Sequence, residues 1–289
     1  MTLRIDTHQH FWKVARGDYF WLTPELAPLY HDFGPADLAP HLSAGRIDAT
    51  IIVQAAPTLA ETRYMLEIAD ATDWVAGVVG WVDFESPSAV DDIAALAEHP
   101  KLVGIRPMIQ DIPDVDWMLR PDLDPAFIAL AESGLVFDAL VHPRHLPNLL
   151  KRLARHPDMR VIVDHAAKPH ICDRKIEPWA SDLARIARDT KALCKVSGMV
   201  TEAAADWQVE DIRPYFDSVL EAFGPARMVF GSDWPVVNLA GSYGGWLATA
   251  ETLAAPLSAA EKAALFGGNA INLYKLDAPG RLKREGAAA

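Results

Sequence analysis

Two histidines near the N-terminus, His8 and His10, are separated by a single residue in the segment DTHQH. Residues two apart in a β-strand point to the same side, so the two imidazoles project together. Two further groups follow short β-branched runs: His165 ends VIVDH, and Asp233 comes shortly after MVF. Because such runs are typical of strands whose ends share one edge, the sequence predicts that these four side chains converge on one site.

Three imidazoles and one carboxylate permit two kinds of chemistry. They could hold one Zn²⁺, or they could work without metal as an acid–base and oxyanion-binding set. Histidines at strand ends also form ordinary structural hydrogen bonds. We expect at most one divalent ion, zinc, held by His8, His10, His165 and Asp233. Since four such ligands leave tetrahedral zinc no open position, we favour an ion that binds without being essential.

Further polar and aromatic side chains fall at the ends of other predicted strands and would line the same site. Arg106 carries a permanent positive charge that could bind an oxyanion. The candidates for substrate contact are Gln54, Trp81, Asp138, His142, Trp234 and Trp12. Lys195 and Ser197 also point inward by alternation. Asp138 and Lys195 could instead pair with each other in the protein interior. A lining of this kind suits a small polar ligand.

Eight β-branched segments alternate with segments of helical periodicity along the chain. The predicted strands are residues 3–8, 49–54, 75–81, 103–108, 136–141, 160–164, 192–197 and 228–231. Between them, apolar residues recur three and four positions apart, as in Ile212, Phe216 and Val219, which predicts helices. Eight such units of about 30 residues match a (β/α)₈ TIM barrel better than an open doubly wound sheet. In such barrels the active site lies at the carboxyl ends of the strands.

The spacing is even except after the first strand, where residues 11–35 are rich in aromatic side chains and proline. Two interpretations of this segment stay open: a hydrophobic pad that packs on the barrel, or a lid over the substrate. Nothing in the sequence marks a linker. We therefore predict one domain over residues 1–276 and a flexible C-terminal tail over residues 277–289.

The 289 residues carry 39 acidic and 27 basic side chains, a net charge of −12. This balance argues against a nucleic acid or an anionic membrane as the main partner. No apolar run approaches the roughly 18 residues of a membrane span, and no signal peptide is indicated, so a cytoplasmic protein is expected. The two cysteines predict neither a disulfide framework nor a thiolate metal site. The oligomeric state stays open, and a homo-oligomer is one option.

Six motifs together give the chain a specific resemblance. In chain order they are IDTHQHFW, GIRP, VFDALV, VIVDHAAKP, KVSG and MVFGSDWPV. Over nearly the whole chain they resemble the amidohydrolase superfamily, and more narrowly its branch of sugar lactonases, which includes the L-fuconolactonases and L-rhamnonolactonases. The resemblance implies a (β/α)₈ barrel whose catalytic end is formed by His8, His10, His165 and Asp233.

The chain departs from the better-known metal-dependent members of this superfamily at two strands. Those members supply a further histidine from the fifth strand and often Lys or Glu from the fourth. Here the fourth strand offers Arg106, and the fifth offers Asp138 with His142 slightly beyond it. A binuclear centre is therefore not expected. Since the family also contains lactonases that work without metal, the histidine pair does not decide the cofactor.

We accordingly predict a hydrolase that opens a sugar lactone, such as L-fucono-1,5-lactone or a related L-rhamnono or galactono lactone, to the aldonic acid. Asp233 would act as general base and then as acid, while His165 and Arg106 would polarise the carbonyl. A neutral lactone is favoured over a dicarboxylate because only Arg106, with Arg16 and Arg144 as loop candidates, could bind carboxylates. Three alternatives stay open: a lactone isomerase of the same branch, a metal-dependent decarboxylase, and a non-catalytic sugar-binding barrel.

Overall fold

Residues 3–276 are described by the computed structural model, and within them eight parallel strands pair in chain order. The strands are β1 (Ile5–Gln9), β2 (Ala49–Val53), β3 (Val75–Gly80), β4 (Leu102–Ile105), β5 (Val136–Ala139), β6 (Val161–Val163), β7 (Leu193–Val196) and β8 (Met228–Phe230). Each overlaps a predicted strand and is one or two residues shorter. The predicted tail, residues 277–289, lies outside the described residues.

The sheet closes on itself where the chain after β8 meets β1. The backbone N–H of Asp233 donates to the carbonyl of His8 at 2.7 Å, and that of His10 donates to the carbonyl of Trp234 at 2.7 Å. Gln9 and Trp234 form a parallel bridge at the same place. These bonds join the two edge strands, so the predicted (β/α)₈ barrel is confirmed.

Helices connect the strands on the outside of the barrel. They are α1 (Pro35–Gly45), α2 (Leu59–Asp70), α3 (Ala89–Ala97), α4 (Asp124–Ser133), α5 (Leu146–Arg155), α6 (Trp179–Asp189), α7 (Val209–Phe223), α8 (Tyr243–Leu253), α9 (Ala259–Ala263) and α10 (Asn269–Tyr274). None of these helices, in the part of the chain that the structure describes, is long and apolar enough to cross a membrane.

Apolar residues form two clusters. The larger packs the helices against the outside of the sheet. The smaller joins strand residues from around the barrel to the last helix, and its members include Ile5, Ile51, Val79, Val136, Ile162, Val229, Leu273 and Tyr274. Because residues of opposite strands meet in this second cluster, it fills part of the barrel interior, and α10 covers that end. The opposite end is left for polar side chains.

The long segment over residues 11–35 is partly buried against the barrel and partly exposed to a pocket. Its buried members are Phe11, Trp12, Tyr19, Leu22, Leu29 and Phe33, as expected of a packing pad. Trp21 instead lines a pocket at the barrel mouth, where its Nε1 donates to the carbonyl of Ala55 at 2.8 Å. One part of the segment therefore anchors it, and another part forms a wall of the pocket.

A buried carboxylate, Glu61, holds the chain that follows β2. Its oxygens accept hydrogen bonds from the backbone N–H of Ala55 at 3.0 Å and of Ala56 at 2.8 Å. Burial raises the pKa of Glu61 to about 7, although these backbone N–H groups act in the opposite direction. Since the carbonyl of Ala55 accepts from Trp21, Glu61 supports the pocket wall.

The Glu61→Gln variant should gain in free energy of unfolding, relative to the wild type, as the pH rises. The pKa of the folded-state carboxyl lies above its unfolded value, so the wild type loses stability as the pH rises from about 4.5 through 7, whereas glutamine does not titrate. The difference in free energy of unfolding should widen by about 3 kcal/mol between pH 4 and pH 8. Urea unfolding measures it. The exposed control Glu221→Gln should show a flat difference, and a flat difference for Glu61→Gln would contradict the prediction.

Candidate active site

A pocket of about 230 Å³ opens at the carboxyl ends of the strands. Its polar wall includes His10 after β1, Arg106 after β4, His165 after β6 and Asp233 after β8. The other lining residues are Trp21, Leu26, Ala55, Met108, Gln110, Asp111, Leu140, Lys168, Val236 and Leu239. Convergent polar groups in a concave site at this end of a barrel mark the usual position of an active site.

Asp233 reaches the pocket through an uncommon backbone conformation. Its φ is 57°, in the left-handed region that costs a non-glycine residue about 1–2 kcal/mol. Two hydrogen bonds hold this backbone: its own N–H donates to the carbonyl of His8 at 2.7 Å, and the N–H of Ser232 donates to Asp6 Oδ1 at 2.8 Å. Such strain concentrates at functional sites, and here it aims the carboxylate at the histidines.

A second left-handed segment carries His165. Residues 165–168 all have φ between 49° and 60° and form a tight turn after β6. Trp179 Nε1 donates to a carbonyl of this turn at 2.6 Å, and His165 Nδ1 lies 2.9 Å from Ser197 Oγ. The turn brings both His165 and Lys168 to the pocket wall.

Three imidazoles surround one oxygen of Asp233. Its Oδ1 lies 3.3 Å from His10 Nε2, 3.7 Å from His8 Nε2 and 4.0 Å from His165 Nε2. His8, His165 and Asp233 also offer ligand atoms that all lie within 4.8 Å of one another. The structure therefore brings together the four residues that the sequence predicts as one site.

The contact between His10 and Asp233 requires a positive species. His10 Nδ1 lies 2.7 Å from the carbonyl of Val53, which can only accept, so this nitrogen carries a proton. In a neutral ring, Nε2 is then a bare acceptor that faces a carboxylate oxygen at 3.3 Å. Two lone pairs at this distance repel each other unless a proton or a metal cation lies between them. A backbone-anchored Nδ1 is also typical of metal-ligating histidines.

All four residues are of a type that binds a divalent cation, and His8, His165 and Asp233 are close enough together to share one. His10 does not belong to this three-residue group, although it approaches Asp233. Zinc bound at about 2.0–2.2 Å places neighbouring tetrahedral ligands about 3.3–3.5 Å apart, and His10 Nε2 and Asp233 Oδ1 are 3.3 Å apart. His8 fits less well, because its Nε2 also lies 3.2 Å from Arg106 Nη1, which competes for the lone pair. Within residues 3–276 no second cluster of this kind occurs.

Burial sets the protonation of the site. It lowers the pKa of His165 to about 4, although Asp233 opposes the shift, and with the nearby Lys195 it holds the pKa of His8 well below its ordinary value. Burial alone would raise the pKa of Asp233, but His165 and His10 outweigh it and hold this pKa below its ordinary value. At neutral pH, Asp233 is an ionised carboxylate, the form that a general base requires.

A buried ionic network crosses the barrel beneath the pocket. Lys195 Nζ donates to Asp138 Oδ2 at 2.7 Å, pairs with Asp164 Oδ1 at 2.8 Å and lies 3.2 Å from His8 Nδ1. Arg106 Nη1 donates to Asp164 Oδ2 at 3.3 Å. All of these side chains are buried. Two cations and two carboxylates thus balance each other directly under His8.

Two of the predicted substrate contacts belong to the support of the pocket. Asp138 is fully buried in the ionic network, where it pairs with Lys195, as one of its two interpretations allowed. Gln54 is also fully buried, and its Nε2 donates to the carbonyl of Arg106 at 2.8 Å. Neither side chain lines the 230 Å³ pocket. Gln54 holds the backbone of Arg106, which does line the pocket, whereas Asp138 acts one layer deeper through Lys195.

The other four predicted contacts lie elsewhere. Trp12 and Trp234 are buried in the larger apolar cluster. Trp81 lines an adjoining cavity, and His142 is half-buried without lining the pocket. Aromatic and polar residues near strand ends cannot be sorted by alternation alone, because the loops after the strands decide which of them face the pocket.

The sequence analysis missed three polar residues of the pocket, Gln110, Asp111 and Lys168, and Lys168 is the one that lies beside His165 on the left-handed turn. It lines the pocket, and its Nζ lies 3.7 Å from Glu202 Oε1. Burial raises the pKa of Glu202, although Lys168 opposes the shift. Lys168 belongs to the motif HAAKP, but the sequence pattern indicates only that a strand ends there. Its left-handed turn follows from no propensity, since single non-glycine residues rarely adopt that conformation and four in succession do so less often still.

Lys195→Met should destabilise the protein by about 3–5 kcal/mol, because it leaves two buried carboxylates without their cation. Urea unfolding at pH 7 measures the loss. Lys191→Met is the matched control: its ion pair with Asp158 is exposed to solvent and should contribute little to stability. Equal, small losses in both variants would show that the network does not stabilise the barrel.

Sequence comparison assigns nearly the whole described chain to one family. The family model described as amidohydrolase matches residues 5–276. An L-fucono-1,5-lactonase of Burkholderia ambifaria is 46% identical, over 96% of this chain and 98% of its own length. An L-fucono-1,5-lactonase of Burkholderia multivorans is 38% identical, over 96% of this chain and 97% of its own length.

Solved structures agree with this assignment. An amidohydrolase from Burkholderia multivorans with bound zinc has a TM-score of 0.90 at 37% identity, over 95% of this chain and all of that one. A 5-carboxyvanillate decarboxylase from Sphingomonas paucimobilis, at 16% identity and a TM-score of 0.66 over 96% of this chain and all of that one, shares the fold alone. The predicted family is confirmed: the chain belongs to the amidohydrolase family.

Proposed function

We propose that this protein is a lactonase that hydrolyses a neutral sugar lactone, with L-fucono-1,5-lactone as the first candidate. The observation that carries the proposal is Asp233, an ionised carboxylate in the pocket wall with three imidazoles 3.3 to 4.0 Å from its Oδ1. The two relatives named L-fucono-1,5-lactonase, which match over nearly their full lengths, support the substrate class.

Asp233 carries the proton through both halves of the reaction. Its carboxylate accepts a proton from water as the water oxygen bonds to the lactone carbonyl carbon, and the carbonyl π electrons move to the carbonyl oxygen. When this oxyanion collapses, the bond between the carbonyl carbon and the ring oxygen breaks. Asp233 then returns the proton to the ring oxygen, which becomes a hydroxyl group of the aldonic acid.

Arg106 is held where it can stabilise the oxyanion. Its Nη2 donates to the carbonyl of Gln54, and its Nη1 donates to Asp164 at 3.3 Å. A donor fixed in this way is already oriented before charge develops, and one such donor contributes about 3 kcal/mol to lowering a barrier. His165, anchored through Ser197, polarises the same carbonyl oxygen.

A divalent ion would be held by the cluster of His8, His10, His165 and Asp233. The zinc in the related Burkholderia multivorans structure supports this assignment. When bound, such an ion supplies Lewis-acid polarisation of a carbonyl. We propose that it is not essential, because a lactone ester is far more reactive than an amide and Asp233 is already ionised.

The charges of the pocket favour a neutral substrate. Lys168 and Arg106 are its basic lining residues, and Asp111 and Asp233 are its acidic ones. Of the described residues that line the pocket, Arg106 alone is an arginine, whereas the loop candidates Arg16 and Arg144 do not line it. A dicarboxylate would need several bidentate arginines. Hydroxyl groups, by contrast, can donate to carboxylates and accept from Lys168.

A panel of aldonolactones, assayed by acid release, should identify the substrate, with L-fucono-1,5-lactone among the best.

Asp233→Asn should lower kcat/KM at least about a hundredfold, because the amide keeps the shape but cannot accept a proton. Asp111→Asn, which removes the other carboxylate of the pocket, is the matched control and should lose far less. Circular dichroism checks that both variants are folded.

Two results would overturn this proposal. Near-normal turnover by folded Asp233→Asn would remove Asp233 from the base role. Conversion of a lactone without acid release would indicate an isomerase.

Chelation should leave most of the lactonase activity in place, although the purified protein binds up to about one equivalent of zinc. Elemental analysis before and after chelation measures the metal, and acid release measures the rate. Activity that is lost on metal removal and restored by zinc would show that the ion is essential. A chelator already saturated with zinc controls for inhibition by the chelator itself.

A further inference from the structure

A second cavity of about 330 Å³ lies beside the catalytic pocket at the same end of the barrel. Its walls come from the loops after β1, β2, β3 and β4, whereas His165 and Asp233 follow β6 and β8. We call it the aromatic groove, because Phe20, Trp21, Trp81 and Trp117 line it. Loops at this end of a barrel carry function and those at the other end carry stability.

The aromatic groove is continuous with the catalytic pocket. Trp21, Met108 and Asp111 line both. Arg106 lies in the catalytic pocket, and the next residue along the chain, Pro107, lines the groove. The shared wall is held in place, since Trp21 Nε1 donates to the carbonyl of Ala55 at 2.8 Å. A ligand bound at Asp233 can therefore extend into the groove.

The chemistry of the groove favours an uncharged ring that carries hydroxyl groups. Its aromatic side chains offer flat apolar faces, and Phe20 is 74% exposed at the open side. Asp83, Glu85 and Asp111 supply carboxylates at the edge. Carboxylates accept hydrogen bonds from hydroxyls and repel anions. Apolar walls with a few polar groups are typical of small-molecule sites, and this combination matches a sugar ring.

We propose that the aromatic groove is a second sugar subsite, which receives a sugar attached to the lactone ring at a hydroxyl remote from the carbonyl. The catalytic pocket, at about 230 Å³, is below the roughly 300–1,000 Å³ of sites for drug-sized ligands and suits a single ring. The groove adds 330 Å³, enough for one more. This inference rests on the proposed lactonase function.

The test compares three 1,5-lactones that share one ring: L-fucono-1,5-lactone, its 4-O-glycosyl derivative and its 4-O-benzyl derivative. The glycosyl derivative should have a KM about tenfold lower than the parent, the size expected of one aromatic stacking contact with added hydrogen bonds. Phe20→Ala, which removes a ring face, and Asp83→Asn, which removes a carboxylate of the groove, should each reduce this gain and leave the parent lactone unchanged. Tyr30→Ala, an exposed aromatic of the same segment that lines neither cavity, should leave all three unchanged.

Other outcomes overturn the proposal. No gain for the glycosyl derivative, or a gain that survives both groove variants, would show that the groove binds no sugar. A gain for the benzyl derivative that equals or exceeds the glycosyl gain would assign the groove to apolar groups instead.

A binding measurement separates this failure from failure of the lactonase proposal. Calorimetric titration of Asp233→Asn with the disaccharide aldonate and the monosaccharide aldonate needs no turnover. Tighter binding of the disaccharide, lost in the additional Phe20→Ala variant, would support the groove even if no lactone were hydrolysed. Equal binding of the two would contradict it.

Discussion

The contact between the end of β8 and β1 is the constraint on which the rest of the site depends. Asp233 donates its backbone N–H to the carbonyl of His8, and this single join both closes the barrel and sets a carboxylate 3.3 Å from His10. His10 in turn donates a hydrogen bond from Nδ1 to the carbonyl of Val53. Its other nitrogen, Nε2, can therefore contact the carboxylate favourably only if a proton or a metal cation lies between them. Strand pairing, left-handed backbone and local charge therefore form one arrangement, which a change at any of the three would disturb.

The pocket contains backbone conformations that cost free energy of folding, and the layer beneath it contains buried charges that are all paired. The left-handed residues at Asp233 and in the 165–168 turn cost free energy that a conventional loop would not. Lys195 and its two carboxylates are buried charges that remain favourable only because each is paired. In the same network, Lys195 Nζ lies 3.2 Å from His8 Nδ1, and Arg106 Nη1 lies 3.2 Å from His8 Nε2. Burial and these two cations lower the pKa of His8 and keep it neutral, so Asp233 is the charged group among the imidazoles that surround it.

The sequence predicted the barrel, all eight strands and the meeting of His8, His10, His165 and Asp233, because period-two alternation and even spacing determine which side chains reach one end of a parallel barrel. The sequence pattern could not distinguish Asp138 and Gln54 from residues that line the pocket, because both lie just below the pocket surface. Lys168 was missed for a different reason: the turn that carries it has a backbone conformation that is unfavourable locally. Only the surrounding contacts hold this conformation, and a linear pattern does not reveal them.

The central claim is that Asp233 directs water to the carbonyl carbon of a lactone, and the fate of the water oxygen tests it most directly. Single-turnover hydrolysis in H₂¹⁸O, followed by mass spectrometry of the aldonic acid and its fragments, locates the label. One ¹⁸O atom in the carboxyl group is the result expected if the bond between the carbonyl carbon and the ring oxygen breaks. Label in the released hydroxyl group would place the attack at the other carbon of the ester, and product without label would show that no water is added. Either result would contradict the account.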